Sequence, residues 1–177
     1  MSKFKTCGLA VVAMALSACG PGPESAEQAE RGAEIAQIEA KVTKAIPNTT
    51  CVVEATEPYR YDTGGISAQA SVWSCSQSYP IIYVCSIVEK KSVSSTGTVT
   101  WTAVAGSRSC WPETNTNFGG QTANSTSSPA GTYRQRAQAA IKLNATTWTP
   151  AQSSTCSTLS NNVPCTFTEV VSAGVSL

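Results

Sequence analysis

Eight cysteines limit the folds open to this 177-residue chain, and they fall into two groups. Cys7 precedes and Cys19 directly follows an apolar N-terminal run, whereas Cys51, Cys75, Cys85, Cys110, Cys156 and Cys165 are spread along the body. An even set of six in an exported chain reads as a framework of three disulfides, with fifteen pairings open. Cys156 and Cys165, nine residues apart around Asn161-Asn162, are the expected local pair. The bridges matter because aromatic residues make up only 7% of the chain and several segments are rich in hydroxyls, so the core is modest. Each bridge contributes about 2 to 4 kcal/mol, a large part of a domain's usual margin.

Lys3 and Lys5 precede an apolar run from Leu9 to Ala18, the order of a secretory signal. The run is well short of the roughly 20 residues a membrane-spanning helix needs. It ends in Leu16-Ser17-Ala18-Cys19, which resembles the lipobox of bacterial lipoproteins. The resemblance implies cleavage between Ala18 and Cys19, a diacylglyceryl thioether on Cys19, and tethering to a membrane through two or three acyl chains. The other reading is an ordinary signal cleaved after Ser17 or Ala18, leaving Cys19 a plain thiol. Parity favours the first, because loss of Cys7 and lipidation of Cys19 leave an even six. Gly20 stands where the family pattern uses Asp to retain lipoproteins on the inner membrane, so the resemblance implies the outer membrane, facing the periplasm or the cell surface.

These features divide the chain into a signal peptide at 1–18, an anchor and spacer at 19–24 that includes GPGPE, and one disulfide-bonded domain at 25–177. Ser25 with Gln28 offers a capping box, Pro47 a stop, and Ile35, Ile38, Val42 and Ile46 an apolar stripe, which together predict a helix from Ser25 to Ile46 docked by its later turns. From Cys51 the period becomes two. Strands are expected at Cys51 to Thr56, Ile66 to Cys75, Ile81 to Val88 and Thr98 to Ala105, with a terminal strand through Phe167 and Val175. Ile81 to Val88 is apolar on both faces, the mark of a central strand covered on both sides, and the small alanines at 68 and 70 suit a close-packed helix. Residues 112–131 have no apolar period and read as a long mobile loop. Tyr133 to Asn144 reads as a second short helix. The expected fold class is α+β: an N-terminal helix with a largely antiparallel, disulfide-stabilised β-sheet.

The chain contains no histidine, which removes the commonest general base, every Ser-His-Asp or Cys-His arrangement and the usual zinc ligand. Oxidised cysteines are neither nucleophiles nor thiolate ligands. Carboxylates remain, and the nearest cluster is Glu54, Glu57 and Asp62, which reads as solvated turn charges rather than a glycosidase pair or a calcium site. No catalytic, cofactor or metal residues are assigned. Lys and Arg total 12 against 11 Asp and Glu without a block of either sign, which argues against nucleic acid. Tyr59, Tyr61, Trp111 and Trp148 lie near turns and are the candidate binding aromatics, while Trp73, Tyr83 and Trp101 are expected in the core and Arg134 and Arg136 on a solvated helix face. The expected function is a non-catalytic binding or structural module of the bacterial envelope, anchored to the membrane and engaging a protein or glycan. The alternatives are a periplasmic enzyme inhibitor or immunity-type protein, and a carboxylate-based hydrolase.

Overall fold

The computed structural model describes residues 41–61 and 63–177. They form antiparallel β-structure in two sheets, and the only helical element among them is a single 3-10 turn at Ser157–Asn161. The first sheet contains β1 (Val42–Ala45), β2 (Val52–Ala55), β3 (Tyr59–Arg60), β4 (Ile66–Trp73) and β8 (Gly119–Ser125). On one side of β4, β2 and β3 pair with successive halves; β8 runs along the other side, and β1 closes the edge beyond β2. The second sheet contains β5 (Tyr79–Val93), β6 (Val99–Ala103), β7 (Ser109–Thr116), β9 (Thr132–Lys142), β10 (Trp148–Thr149), β11 (Thr168–Val171) and β12 (Val175–Ser176). Its axis is the long pair β5–β9. The outer side of β5 is taken by β7 and then β6, and that of β9 by β10, β11 and β12 in turn.

The sheets pack face to face as a sandwich. Val53, Ala55, Ala70 and Val72 of the first meet Ile82, Val84, Ala137, Ala139, Ile141 and Val170 of the second. At the other end Ile66, Ala68 and Ala123 meet Val88 and Tyr133. Small residues on facing strands let the sheets approach closely: a Cβ on Gly119 would lie 2.9 Å from the side chains of Ile82 and Val84. One polar link crosses the interior, with Ser86 donating to the Ala68 carbonyl at 2.9 Å and accepting from Gln135 Nε2 at 2.6 Å. All six body cysteines are paired. Cys51–Cys75 closes the end of the β2–β4 pair, Cys85–Cys110 joins directly opposed residues of β5 and β7, and Cys156–Cys165 closes the expected local loop. Three disulfides fit an exported protein.

The α+β expectation is overturned. Val42–Ala45 is an exposed edge strand, not the last turns of a helix; Ile46 is buried, and the rest of the predicted 25–46 helix lies outside the described residues. The second predicted helix is β9. Its alternation is strict once read with period two: Tyr133, Gln135, Ala137, Ala139 and Ile141 face the sandwich interior, while Arg134, Arg136, Gln138, Ala140 and Lys142 face outward. Ala and Gln favour helix locally, but pairing on both sides with β5 and β11 outweighs a preference worth only tenths of a kcal/mol per residue. The predicted loop at 112–131 is mainly the latter part of β7 and the whole of β8, joined by a short turn that carries the chain from one sheet to the other. Pro112 is tolerated because β7 is an edge strand. What packs on Ala68 and Ala70 is the opposite sheet rather than a helix.

The expected strands at 51–56, 66–75, 81–88 and 98–105 are present as β2, β4, the centre of β5 and β6. β5 is covered on both faces as its sequence requires. Ile82 and Val84 point into the sandwich, while Ile81, Tyr83 and Cys85 point outward, where Trp148, Leu159, Val163 and Phe167 of the C-terminal segment cover them. The Cys156–Cys165 loop is thus a lid over one half of the outer face of the second sheet.

Candidate functional site

The outer face of the five-stranded sheet is uncovered among the described residues. Trp73 ends β4 with its side chain outward and 42% exposed, contrary to its expected place in the core. Its indole Nε1 donates to Glu54 Oε2 at 3.0 Å across the β2–β4 pair, which draws the ring over β2 and leaves Glu54 buried beneath it. Ser71 Oγ and Lys41 Nζ each lie 3.5 Å from Glu54 Oε1. The carboxylate thereby fixes an aromatic platform.

Two further aromatics share this face. Phe118 is 52% exposed, and its ring lies 3.6 Å from where a Cβ of Gly120 would project, on the side shared with the paired Ser71. Tyr59, 46% exposed, is opposite Ser67 at the other end of β4. Ser67 and Trp73 are six positions apart on β4, so the face presents aromatic groups at points about 20 Å apart along the strand. Between them stand the exposed polar side chains of Gln69, Thr122 and Asn124, with Thr43 at the β1 edge. These groups are neutral and, apart from their ring faces, offer both donors and acceptors.

The four candidate aromatics separate into two pairs. Tyr59 is exposed on this face, and Trp111, 60% exposed, projects from β7 of the other sheet. Tyr61 is a structural strap, its hydroxyl donating to the Ser125 carbonyl at 2.5 Å and its ring packed on Gly65. Trp148 is buried against the outer face of the second sheet. Trp73 and Phe118 were not among the candidates. A signal for Trp73 was available in its position at the exposed end of an alternating strand, opposite in phase to Val72. Phe118 had none, since it lies within the segment read as a loop.

Glu54 is not a solvated turn charge. Glu54 lies under Trp73, Glu57 is in the β2–β3 connection, and Asp62 lies outside the described residues. On the other sheet Glu89 is 2% exposed and held by two arginines: Arg134 Nε at 2.7 Å on Oε2 and Arg136 Nη2 at 2.6 Å on Oε1. Arg134 also stacks on Trp101, its guanidinium 4.3 Å from the ring centre. Arg134 and Arg136 therefore form a clamp, not a solvated helix face, because strand geometry sends residues i and i+2 to the same side. Tyr83 is buried as expected, while Trp101 is half-buried beneath Arg134. No match is found when the chain is compared with protein-family models, with curated proteins or with solved structures.

Proposed function

We propose that this chain is an exported lipoprotein, anchored through Cys19 at the outer membrane, whose sandwich is a non-catalytic glycan-binding module of the bacterial envelope. The observation that carries the reading is the outer face of the five-stranded sheet, where Trp73 and Phe118 at one end and Tyr59 at the other flank hydroxyl and amide side chains. A sugar ring has an apolar C–H face that stacks on an aromatic and a rim of hydroxyls that both donate and accept, and this face offers partners for both. A protein partner would favour a contiguous apolar centre. Here the aromatics stand at the two ends of β4 with polar side chains between them, which suits an extended chain of sugar units. The face is pre-formed on paired strands, so little side-chain ordering is needed on binding.

The anchor rests on LSAC behind a signal-like segment, together with the pairing of all six body cysteines, which uses no thiol from the N-terminal segment. Two experiments test the two halves. Mass spectrometry of the mature N-terminus is expected to find a lipid-modified Cys19, and an unmodified thiol there overturns the anchoring. Electrophoresis of the chain through gels containing envelope or capsular polysaccharides is expected to find retardation that Trp73→Ala abolishes; equal mobility in every gel overturns the glycan reading.

A further inference from the structure

A second recessed site lies on the opposite side of the sandwich, at the margin of the Cys156–Cys165 lid. It is a cavity of about 620 Å³ lined by Arg108, Gln138, Val163, Thr166, Phe167 and Glu169, among others. That volume is within the range of small-ligand sites, roughly 300 to 1,000 Å³. Gln138 is 7% exposed, and its amide orientation is fixed: Nε2 donates to Glu169 Oε1, and the reverse orientation would press an oxygen against a carboxylate. Its Oε1 is buried without a donor, in a residue whose side chain lines the cavity. An acceptor in that condition is costly to the fold.

Arg108 stands across the cavity. Its Nε is 3.3 Å from Cys110 Sγ and an Nη is 4.0 Å from Cys85 Sγ, so the guanidinium rests on the disulfide. Sulfur is a weak acceptor, and the fork keeps donors for a planar anion. Glu169 is opposite Gln138 in the β9–β11 pair, and Gln138 is opposite Cys85 in the β5–β9 pair. Two strand spacings, about 10 Å, therefore separate the Glu169 and Cys85 backbones.

We propose that this cavity binds a short peptide with both termini free. The ammonium group sits on the Glu169 carboxylate beside the Gln138 amide, where Glu169 supplies the negative charge. The carboxylate sits on the Arg108 guanidinium. An extended chain spans at most about 3.3 to 3.6 Å per residue, so two or three residues fit the separation. Val163 and Phe167 supply apolar wall for the peptide's side chains. A neutral sugar would leave both charges unanswered, and a phosphorylated ligand would face Glu169.

The test is an NMR titration of the full-length, isotope-labelled chain in detergent micelles with trialanine, N-acetyl-trialanine and trialanine amide. Free trialanine is expected to shift the amide signals of Gln138, Thr166 and Phe167 saturably, with Kd of about 1 mM or tighter, and each blocked form to bind about tenfold more weakly. Glu169→Gln, which keeps a hydrogen-bonding partner for Gln138, is expected to erase the difference between free and acetylated peptide while preserving the penalty for the amide. Arg108→Gln is expected to do the converse. No saturable shift up to roughly 10 mM overturns the proposal. So do equal affinities of free and blocked peptides, or equal losses for both blocked forms in either variant. The cavity and the aromatic face lie on different sheets, so failure here leaves the glycan reading standing.

Discussion

Glu89→Gln perturbs the most highly charged contact among the described residues with almost no change in shape. The wild-type carboxylate is nearly inaccessible and accepts from Arg134 at 2.7 Å and Arg136 at 2.6 Å, while the arginine side chains remain 26% and 33% exposed. A neutral amide keeps one acceptor and turns its NH₂ toward a guanidinium, so at least one charge-assisted bond is lost outright and the other weakened. Such bonds are worth about 1.5 to 3 kcal/mol each, and breaking a buried pair costs about 3 to 5. Because both arginines reach water, the lower end applies, about 3 kcal/mol. Urea unfolding of the oxidised chain, followed by tryptophan fluorescence, is the assay. With an m-value of about 2 kcal/mol per molar, the midpoint is expected to fall by about 1.5 M. A fall below about 0.5 M would refute the argument, since the clamp would then contribute no more than a surface pair. Trp101→Leu is expected to be non-additive with Glu89→Gln, because both act on Arg134.

Other substitutions separate the remaining claims. Lys41→Ala removes an ion pair whose lysine is half exposed, and its urea midpoint is expected to correspond to a change within about 0.5 kcal/mol. Gly65→Ala would drive a methyl into the Tyr61 ring and the Ser125 carbonyl oxygen, so a loss of at least about 2 kcal/mol is expected in the same assay. Gln135→Leu removes a buried amide whose Oε1 has no donor, while Ser86 keeps its bond to Ala68; stability is expected to hold or rise by about 1 kcal/mol. Replacing Cys156 and Cys165 together by Ser opens a nine-residue loop and is expected to cost roughly 2.5 kcal/mol, with faster hydrogen exchange at Tyr83 and Ala140 under the lid.

Legibility in the sequence followed burial. β5 was readable because its two-faced apolar run matches its two-sided cover, and β4 because Ile66, Ala68, Ala70 and Val72 alternate with polar residues. β9 was misread because Ala and Gln are good helix formers and its outward arginines also fit a helical face; only the pairing with β5 decides it. The end of β7 and β8 carry no signal of this kind, since edge strands rich in Thr, Asn and Gly have no apolar period. The local pair Cys156–Cys165 was readable from spacing, whereas Cys51–Cys75 and Cys85–Cys110 depend on strand register. The site was half legible for the same reason: Tyr59 stood near a turn, but the platform made by Trp73 on Glu54 needs the β2–β4 register to exist.

The central claim is that the outer face of the five-stranded sheet, and not exposed aromatic surface in general, binds glycan. Calorimetric titration of soluble oligosaccharides from the retarding polysaccharide, into wild type, Trp73→Ala and Trp111→Ala, tests it directly. Trp73→Ala is expected to weaken binding about tenfold, about 1.4 kcal/mol, while Trp111→Ala on the other sheet leaves it unchanged. Undiminished binding by Trp73→Ala, or an equal loss in Trp111→Ala, would contradict the account.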